Sequence, residues 1–182
     1  ALFYAALRFL AGSAEMALST IIFRIRNRTA FGSKLEEKDS IRQVIAEARI
    51  EITKCRGLCY LAAVIADERG FKDAKKYIAM IKVDAPRMAL KIIDDAIQAH
   101  GGGGVSNDYG LANAYAHQRT LRLADGPDEV HARSIARMEF AKHAPNEGPG
   151  SNALRGGNAH SASAGSAGAS AGMSSGDVGA SR

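Results

Sequence analysis

The segment Gln98-Ala99-His100-Gly101-Gly102-Gly103-Gly104-Val105 opens the stretch around which the chain is organised, Ala99 to Arg137. Four consecutive glycines end a long helical pattern there, and they leave backbone N–H groups unshielded and free to adopt positive φ. Such a segment can cradle a phosphate or another closely packed ligand. A plain polyglycine linker is the alternative, and the glycines alone do not decide between the two.

A second loop follows at Leu123-Ala124-Asp125-Gly126-Pro127-Asp128-Glu129-Val130-His131. It places the carboxylate of Asp125 two residues before Pro127, a residue that can open a helix. From the local sequence alone, the favoured interpretation of Asp125 is a turn or N-cap residue, because Asp-Gly-Pro-Asp is common in turns. The order of the segments, from long helix to glycine run to carboxylate loop to last helix, is what points beyond a turn.

Apolar residues spaced by three and four positions predict four helices, over about 2–27, 37–69, 72–100 and 127–143, with a short one over about 111–119. The second and third helices carry regular seams, at Ile41, Ile45, Ala48, Ile52, Cys55, Cys59, Ala62 and Ala66, and at Ala74, Ile78, Ile81, Ala85, Met88, Ile92, Ala96 and Ala99. Pro86 inside the third helix is expected to kink it, with a break as the alternative. The sequence therefore predicts an all-α protein, an antiparallel four-helix bundle.

Composition supports a helical core and a tail. The 182 residues are 46% hydrophobic and 6% aromatic with no tryptophan, which favours a core of Ala, Ile, Leu, Val and Met. The net charge of +5 is scattered, so nucleic-acid binding is not expected and an anionic small ligand is the more economical partner. Ala, Gly and Ser dominate from residue 144 onward, which predicts a disordered tail over 144–182 after a helical domain over 1–143.

Several other features are interpreted as structural. Cys55 and Cys59 lie four residues apart on an apolar helix face, where two small buried side chains are favoured over a metal pair, so no metal site is predicted. Arg8 and Glu15 interrupt the apolar N-terminal stretch, which favours a buried helix over a transmembrane segment. The chain begins inside a helical pattern and without Met, so we expect a fragment or a truncated gene model.

Together these motifs resemble the C-terminal domain of the acyl-CoA dehydrogenases, over roughly Leu7 to His143. Members of that family carry a Gln-x-x-Gly-Gly-x-Gly segment, then a catalytic Glu-Gly loop, then a helix with a hydrophobic-Ala-Arg sequence. The matching segments here are Gln98 to Val105, Asp125-Gly126 and Ile135-Ala136-Arg137. Asp125 stands at the position of the glutamate, which is similar to the branch of the family that carries aspartate there.

The resemblance implies a reaction, a base and a cofactor. The reaction is α,β-dehydrogenation of an acyl-CoA thioester, in which Asp125 removes the α proton and FAD accepts the β hydride. Arg28 and Phe31 match the family's Arg-x-x-Phe-Gly segment, which reaches the flavin held by the partner subunit. The other residues implied to contact flavin lie in the two loops, at Gln98, Gly101, Gly102, Pro127 and Glu129.

The resemblance also implies partners. The bundle makes the subunit contacts in this family, so a homodimer or tetramer is expected, with an electron acceptor such as an electron-transfer flavoprotein. Mitochondrial, peroxisomal and cytoplasmic locations all fit the family. Upstream domains hold most of the flavin and thioester in the family, so the chain by itself is expected not to turn over acyl-CoA. A non-catalytic helical oligomerisation or interaction module is the alternative function.

Overall fold

The computed structural model describes residues 2–143, with side chains from residue 12 onward. The predicted tail over 144–182 lies outside the described residues, and the division of the chain at residue 143 stays a prediction. Two short strands and two 3₁₀ turns accompany the helices: β1 is Thr29–Ala30, β2 is Ser33–Lys34, and the turns are Leu35–Glu37 and Gly101–Val105. The helices are α1 Leu2–Asn27, α2 Asp39–Arg69, α3 Phe71–His100, α4 Leu111–Thr120 and α5 Asp128–Phe140.

The predicted all-α helical bundle is confirmed, with small corrections to the bounds of two helices. The second helix begins at Asp39 rather than at residue 37, because Leu35–Glu37 forms a 3₁₀ turn and Lys38 is extended, with φ −83° and ψ 123°. The last helix begins after Pro127, which is extended at the N-cap position, and it ends at Phe140 rather than at residue 143. Each correction is a change of a few residues that leaves the order of the elements as predicted.

Helix α3 is the centre of the fold, because it packs against α1, α2, α4 and α5. The predicted seam of α2 is buried over its middle part, from Ala48 to Ala62, while its two ends are only partly covered. Alanines at many contact positions let the helix backbones approach closely. The fully buried positions of the core include Ala14, Ala17, Leu18, Ile21, Ile52, Ala62, Ala89, Ile92, Ile93, Ala96 and Leu111.

Two sequence features take structural roles in this core. Helix α3 runs unbroken through Pro86, which is fully buried, so the alternative of a helix break is excluded. Cys55 and Cys59 are both free and buried, as predicted. A hydrogen bond to Cys59, together with burial, raises the pKa of the Cys55 thiol, so the thiol form dominates. The described residues contain no group of three or more side chains suited to hold a metal ion.

Among residues 2–143, no helix combines the length and apolar character that a membrane crossing requires. The N-terminal stretch instead contributes buried residues to the core, and one carboxylate in it faces α2. Glu15 accepts two hydrogen bonds from Arg49, at 2.7 and 2.9 Å, and Arg56 approaches the same carboxylate at 2.9 Å. The bonds from Arg49, with the positive charges of Arg49 and Arg56, outweigh partial burial and hold the pKa of Glu15 below its ordinary value.

We predict that Glu15→Gln lowers the free energy of unfolding by about 1 kcal/mol at neutral pH, because a charge-assisted, bidentate contact between α1 and α2 is lost. The pKa of Glu15 is lowered in the folded state, so the difference between wild type and variant is full at neutral pH. It disappears as the pH falls through that lowered pKa. Urea unfolding followed by circular dichroism over a pH series measures it.

The matched control is Glu68→Gln, which changes an exposed glutamate of α2 that makes no ion pair within the described residues. Equal destabilisation by the two variants, or a difference that persists at low pH, would contradict the assignment of this stabilisation to the Glu15 contact.

Candidate functional site

The segment after α1 is a two-residue β-hairpin. Thr29 pairs with Lys34 and Ala30 with Ser33, which leaves Phe31 and Gly32 as the loop. Both loop residues have positive φ, 53° and 79°, the combination that defines a type I′ turn. Gly32 is therefore the second residue of the hairpin turn. A phenylalanine in this backbone conformation is unusual, and its side chain is 97% exposed at the hairpin tip.

Arg28 lies between the end of α1 and this hairpin. Its carbonyl oxygen accepts a hydrogen bond from the backbone N–H of Leu35 at 3.0 Å, which fixes the base of the hairpin. Its side chain is exposed and makes no ion pair within the described residues. The guanidinium of Arg28 and the ring of Phe31 are thus both presented to solvent from one small, well-defined turn.

The glycine run folds back on α3 as a 3₁₀ turn. Only Gly101 uses positive φ, at 63°, and its N–H donates to the carbonyl oxygen of Gln98. Gly104 is buried so tightly that a Cβ there would lie 2.5 Å from the carbonyl oxygen of Ile97. Gly101 and Gly102 are exposed with open space around them. The run is therefore half packing element and half exposed backbone, and only its first half could contact a ligand.

Two histidines flank the loops and have local hydrogen bonds. His100 is 4% exposed, donates from Nδ1 to the carbonyl oxygen of Ala96 at 2.7 Å, and packs its ring 4.5 Å from the ring of Tyr109. His131 donates from Nε2 to the carbonyl oxygen of Asp125 at 3.1 Å. Both histidines thus have packing or hydrogen-bonding roles within the fold.

Asp125 adopts a left-handed backbone conformation with φ 55°, followed by Gly126 with φ 97°. Aspartate is among the few non-glycine residues that tolerate this region. The side chain of Asp125 is exposed, and helix α5 has no side-chain cap, so the N-cap interpretation is excluded. Pro127 and Glu129, the other predicted residues of this loop, are exposed as well.

The loop around Asp125 is tied to the middle of α3. The Lys82 ammonium donates to the carbonyl oxygens of Leu121 at 2.6 Å and Gly126 at 3.4 Å. Asp128, the first residue of α5, is 4% exposed and accepts from Arg87 of α3 and from Arg122. Arg87 is 41 residues away from Asp128 in sequence, so no local sequence pattern indicates that the two side chains pair.

Opposing effects set the ionisation of Asp128. Burial alone would raise the pKa of its carboxyl, but the hydrogen bonds and charges of Arg122 and Arg87 outweigh it and hold that pKa below its ordinary value. Asp128 is therefore ionised in the folded protein at neutral pH.

The predicted site residues fall into two separate groups. Arg28, Phe31, Gln98, Gly101 and Gly102 lie at the end of the bundle where α1 ends, α2 begins and α3 ends. We call them the end group. The ion pair of Glu47 with Lys91 aligns the start of α2 with the end of α3, and the ion pair of Arg26 with Glu36 brings the end of α1 to the start of α2. The flank group, which comprises Asp125, Pro127 and Glu129, is attached to α3 at Lys82. Sixteen residues of helix separate Lys82 from Gln98, or about 24 Å.

Comparison with known proteins assigns this helical bundle and its two loops to an enzyme family. The family model described as "Acyl-CoA dehydrogenase, C-terminal domain" matches residues 5–139, and the chain belongs to that family.

Individual relatives agree with this assignment. The Mycobacterium tuberculosis protein named "Probable acyl-CoA dehydrogenase FadE2" is 50% identical over 131 residues, which cover 72% of this chain and 32% of that protein. Human "Acyl-CoA dehydrogenase family member 11" is 53% identical over 133 residues, 73% of this chain and 17% of the relative. A solved Mycobacterium abscessus structure assigned to an acyl-CoA dehydrogenase has a TM-score of 0.72 and 50% identity, over 74% of this chain and 33% of that one. The chain thus spans a third or less of these relatives.

We predict that Gly104→Ala lowers the free energy of unfolding by about 1–3 kcal/mol, because the added methyl group would overlap the Ile97 carbonyl and force the turn away from α3. Gly102→Ala is the matched control: it lies in the same turn, has open space around its Cβ position, and should change stability by less than about 0.5 kcal/mol. Thermal and urea unfolding of the two variants measure the difference. Equal effects would show that the run is a linker without specific packing.

Proposed function

We propose that this chain forms the C-terminal helical domain of an FAD-dependent acyl-CoA dehydrogenase in which Asp125 removes the α proton of an acyl-CoA thioester. The observation that carries the proposal is the exposed carboxylate of Asp125, presented on a loop that α3 and α5 hold in a defined conformation. An exposed carboxylate on a fixed backbone is available to a substrate that approaches from outside the bundle.

The reaction needs two acceptors. Asp125 takes the α proton as a base, and the electron pair left on the α carbon forms the new double bond as a hydride leaves the β carbon. FAD, when bound, accepts that hydride. Membership of the acyl-CoA dehydrogenase family supports this choice of cofactor. A further similar structure, described as PigA with FAD and proline, is 25% identical to this chain with a TM-score of 0.69.

The residues of the end group suit an anionic dinucleotide. Arg28 offers a planar donor fork without an ion pair in the described part of the chain, and the exposed backbone of Gly101 and Gly102 lets a ligand approach closely. Phe31 offers an exposed ring for stacking. We infer that Gln98, Arg28, Phe31, Gly101 and Gly102 contact the FAD held by a partner subunit.

The flank group suits a different part of the cofactor. Pro127 has no N–H and presents its ring, while the carboxylate of Glu129 can accept hydrogen bonds from hydroxyl or N–H groups but repels phosphate. We infer that these two residues contact the flavin end of FAD in their own subunit and not the pyrophosphate.

Assembly of subunits is part of the proposal. The outer side of α2 exposes Ile50, Tyr60, Leu61 and Val64, which are 46–74% accessible. Apolar side chains arranged along one helix in this way indicate a protein contact surface. We infer a homodimer or tetramer that passes its electrons to an acceptor such as an electron-transfer flavoprotein. The same surface favours the second candidate function, a helical oligomerisation module without catalysis.

Flavin retention separates the two functions for the chain itself. The purified chain is incubated with excess FAD, desalted, and examined by visible absorption together with its mass in solution. Retained flavin in a dimer supports a cofactor site built from two bundles. A folded oligomer without flavin, with no acyl-CoA-dependent reduction of a dye, favours the interaction module for the chain alone and leaves catalysis to a protein that contains further domains.

Catalysis is tested in a hybrid, in which residues 5–139 of this chain replace the matching segment of the Mycobacterium tuberculosis relative. We predict that Asp125→Asn lowers kcat of the hybrid by roughly 10²–10⁴-fold while FAD stays bound, because the amide cannot accept the α proton. Steady-state dye reduction with acyl-CoA of several chain lengths, and the flavin spectrum, provide the measurements.

Asp67→Asn is the control for the hybrid, since Asp67 is an exposed aspartate of α2 outside both groups. Retained activity in Asp125→Asn would remove Asp125 from the role of base, and loss of FAD from that variant would assign it to cofactor binding instead.

A further inference from the structure

The carboxylate of Asp128 closes a small ring in the chain. Its Oδ2 accepts a hydrogen bond from Nε of Arg122 at 2.8 Å and lies 2.8 Å from Nη2 of the same guanidinium in an ion pair. These contacts join the two ends of the segment 122–128, and Asp125 lies at its midpoint. Because Asp128 is 4% exposed, its interaction with Arg122 is little weakened by solvent or salt.

The same oxygen also anchors this ring to the helical core. Arg87 of α3 donates from Nε to Oδ2 of Asp128 at 3.0 Å. The other oxygen, Oδ1, is buried and has no hydrogen-bond partner among the described residues. Asp128 thus directs all of its hydrogen bonds to one side, toward the two arginines, and makes no N-cap bond to its own helix. The side chain of this first residue of α5 therefore connects the loop to α3 and does not cap its own helix.

The backbone of Asp125 has a left-handed conformation, which the surrounding contacts must stabilise. A non-glycine residue with φ 55° beside a glycine with φ 97° persists only where the surroundings determine the conformation. The bonds from Lys82 to the Gly126 carbonyl and from His131 to the Asp125 carbonyl fix the two peptide groups that follow Asp125. The ring closed by Asp128 fixes the ends of the segment that contains them.

We propose that Asp128 is a positioning residue: through Arg122 and Arg87 it holds the 122–128 segment closed and so sets the direction in which the Asp125 carboxylate points. The catalytic consequence rests on the proposed function of Asp125 as base, whereas the conformational role of Asp128 does not. Asp128 itself does not touch the substrate.

The conformational role is tested on the 182-residue chain by amide hydrogen exchange. The amides of Arg122, Leu123 and Ala124 donate to carbonyls of α4, so they report on opening of the loop. Asp128→Asn keeps the shape of the side chain and removes its charge. It should speed exchange of these amides by about tenfold or more, because the charge-assisted hydrogen bonds of Asp128 keep the 122–128 segment closed. Amides around Ile52 in α2 should exchange as in wild type.

Two further variants make the test decisive. Arg87→Gln removes the ion pair between α3 and Asp128 by changing its half-exposed partner, and it should speed exchange of the same three amides. Asp94→Asn, at an exposed aspartate of α3 without an ion pair in the described residues, is the control and should change nothing. Wild-type exchange in both Asp128→Asn and Arg87→Gln, or equal acceleration in the loop and in α2, would overturn the proposal.

Activity in the hybrid separates this proposal from the proposed function. Asp128→Asn should lower kcat by about tenfold with KM changed by less than about threefold, because orientation of a base affects the chemical step. Unchanged kcat alongside a loosened loop would overturn the catalytic consequence. If the unmutated hybrid does not turn over acyl-CoA, the proposed function fails, and the exchange measurement still decides whether Asp128 holds the loop.

Discussion

The continuity of α3 is the constraint on which the rest of the structure depends. This helix packs against the other four helices of the described residues, supplies much of the core, runs into the glycine segment of the end group and binds the flank group through Lys82. Pro86 in its middle cannot donate a backbone hydrogen bond, so intrinsic preference works against a continuous helix there. Pro86 and its neighbours Ala85 and Met88 are buried, which outweighs that local cost, and the helix passes through without interruption.

Much of the fold was predictable because it follows from short-range periodicity. The seams of α2 and α3 indicate helices that bury one face, and short connections make neighbouring helices antiparallel. What the sequence did not reveal arises from backbone conformation and from contacts between distant residues. The type I′ hairpin at Phe31 lacks the usual Asn-Gly or Asp-Gly signal. The contact of Asp128 with Arg87 depends on how α5 packs on α3, which no spacing within either helix encodes.

The family was predictable from the sequence, and the family model confirms it. The site residues follow from motif resemblance alone, and their roles stay predictions. The structure adds that the glycine run has two different halves, because Gly104 is required for packing on Ile97 while Gly101 and Gly102 are open. Local sequence favours a turn or N-cap role for Asp125, and the structure keeps the turn and excludes the cap. These differences depend on neighbours brought together by the fold, which single-residue preferences do not contain.

The separation of the end group from the flank group has a consequence for mixed assemblies. If each complete site takes its end group from one subunit and its flank group from another, damage to either group in one subunit is shared across an interface. A dimer that pairs a subunit defective only in the end group with one defective only in the flank group would contain one site with both defects and one with neither. Two inactive alleles could then complement each other, and half of the sites would remain intact. The distance that α3 sets between the two groups would thus determine how mutations combine in a cell that carries two versions of the gene.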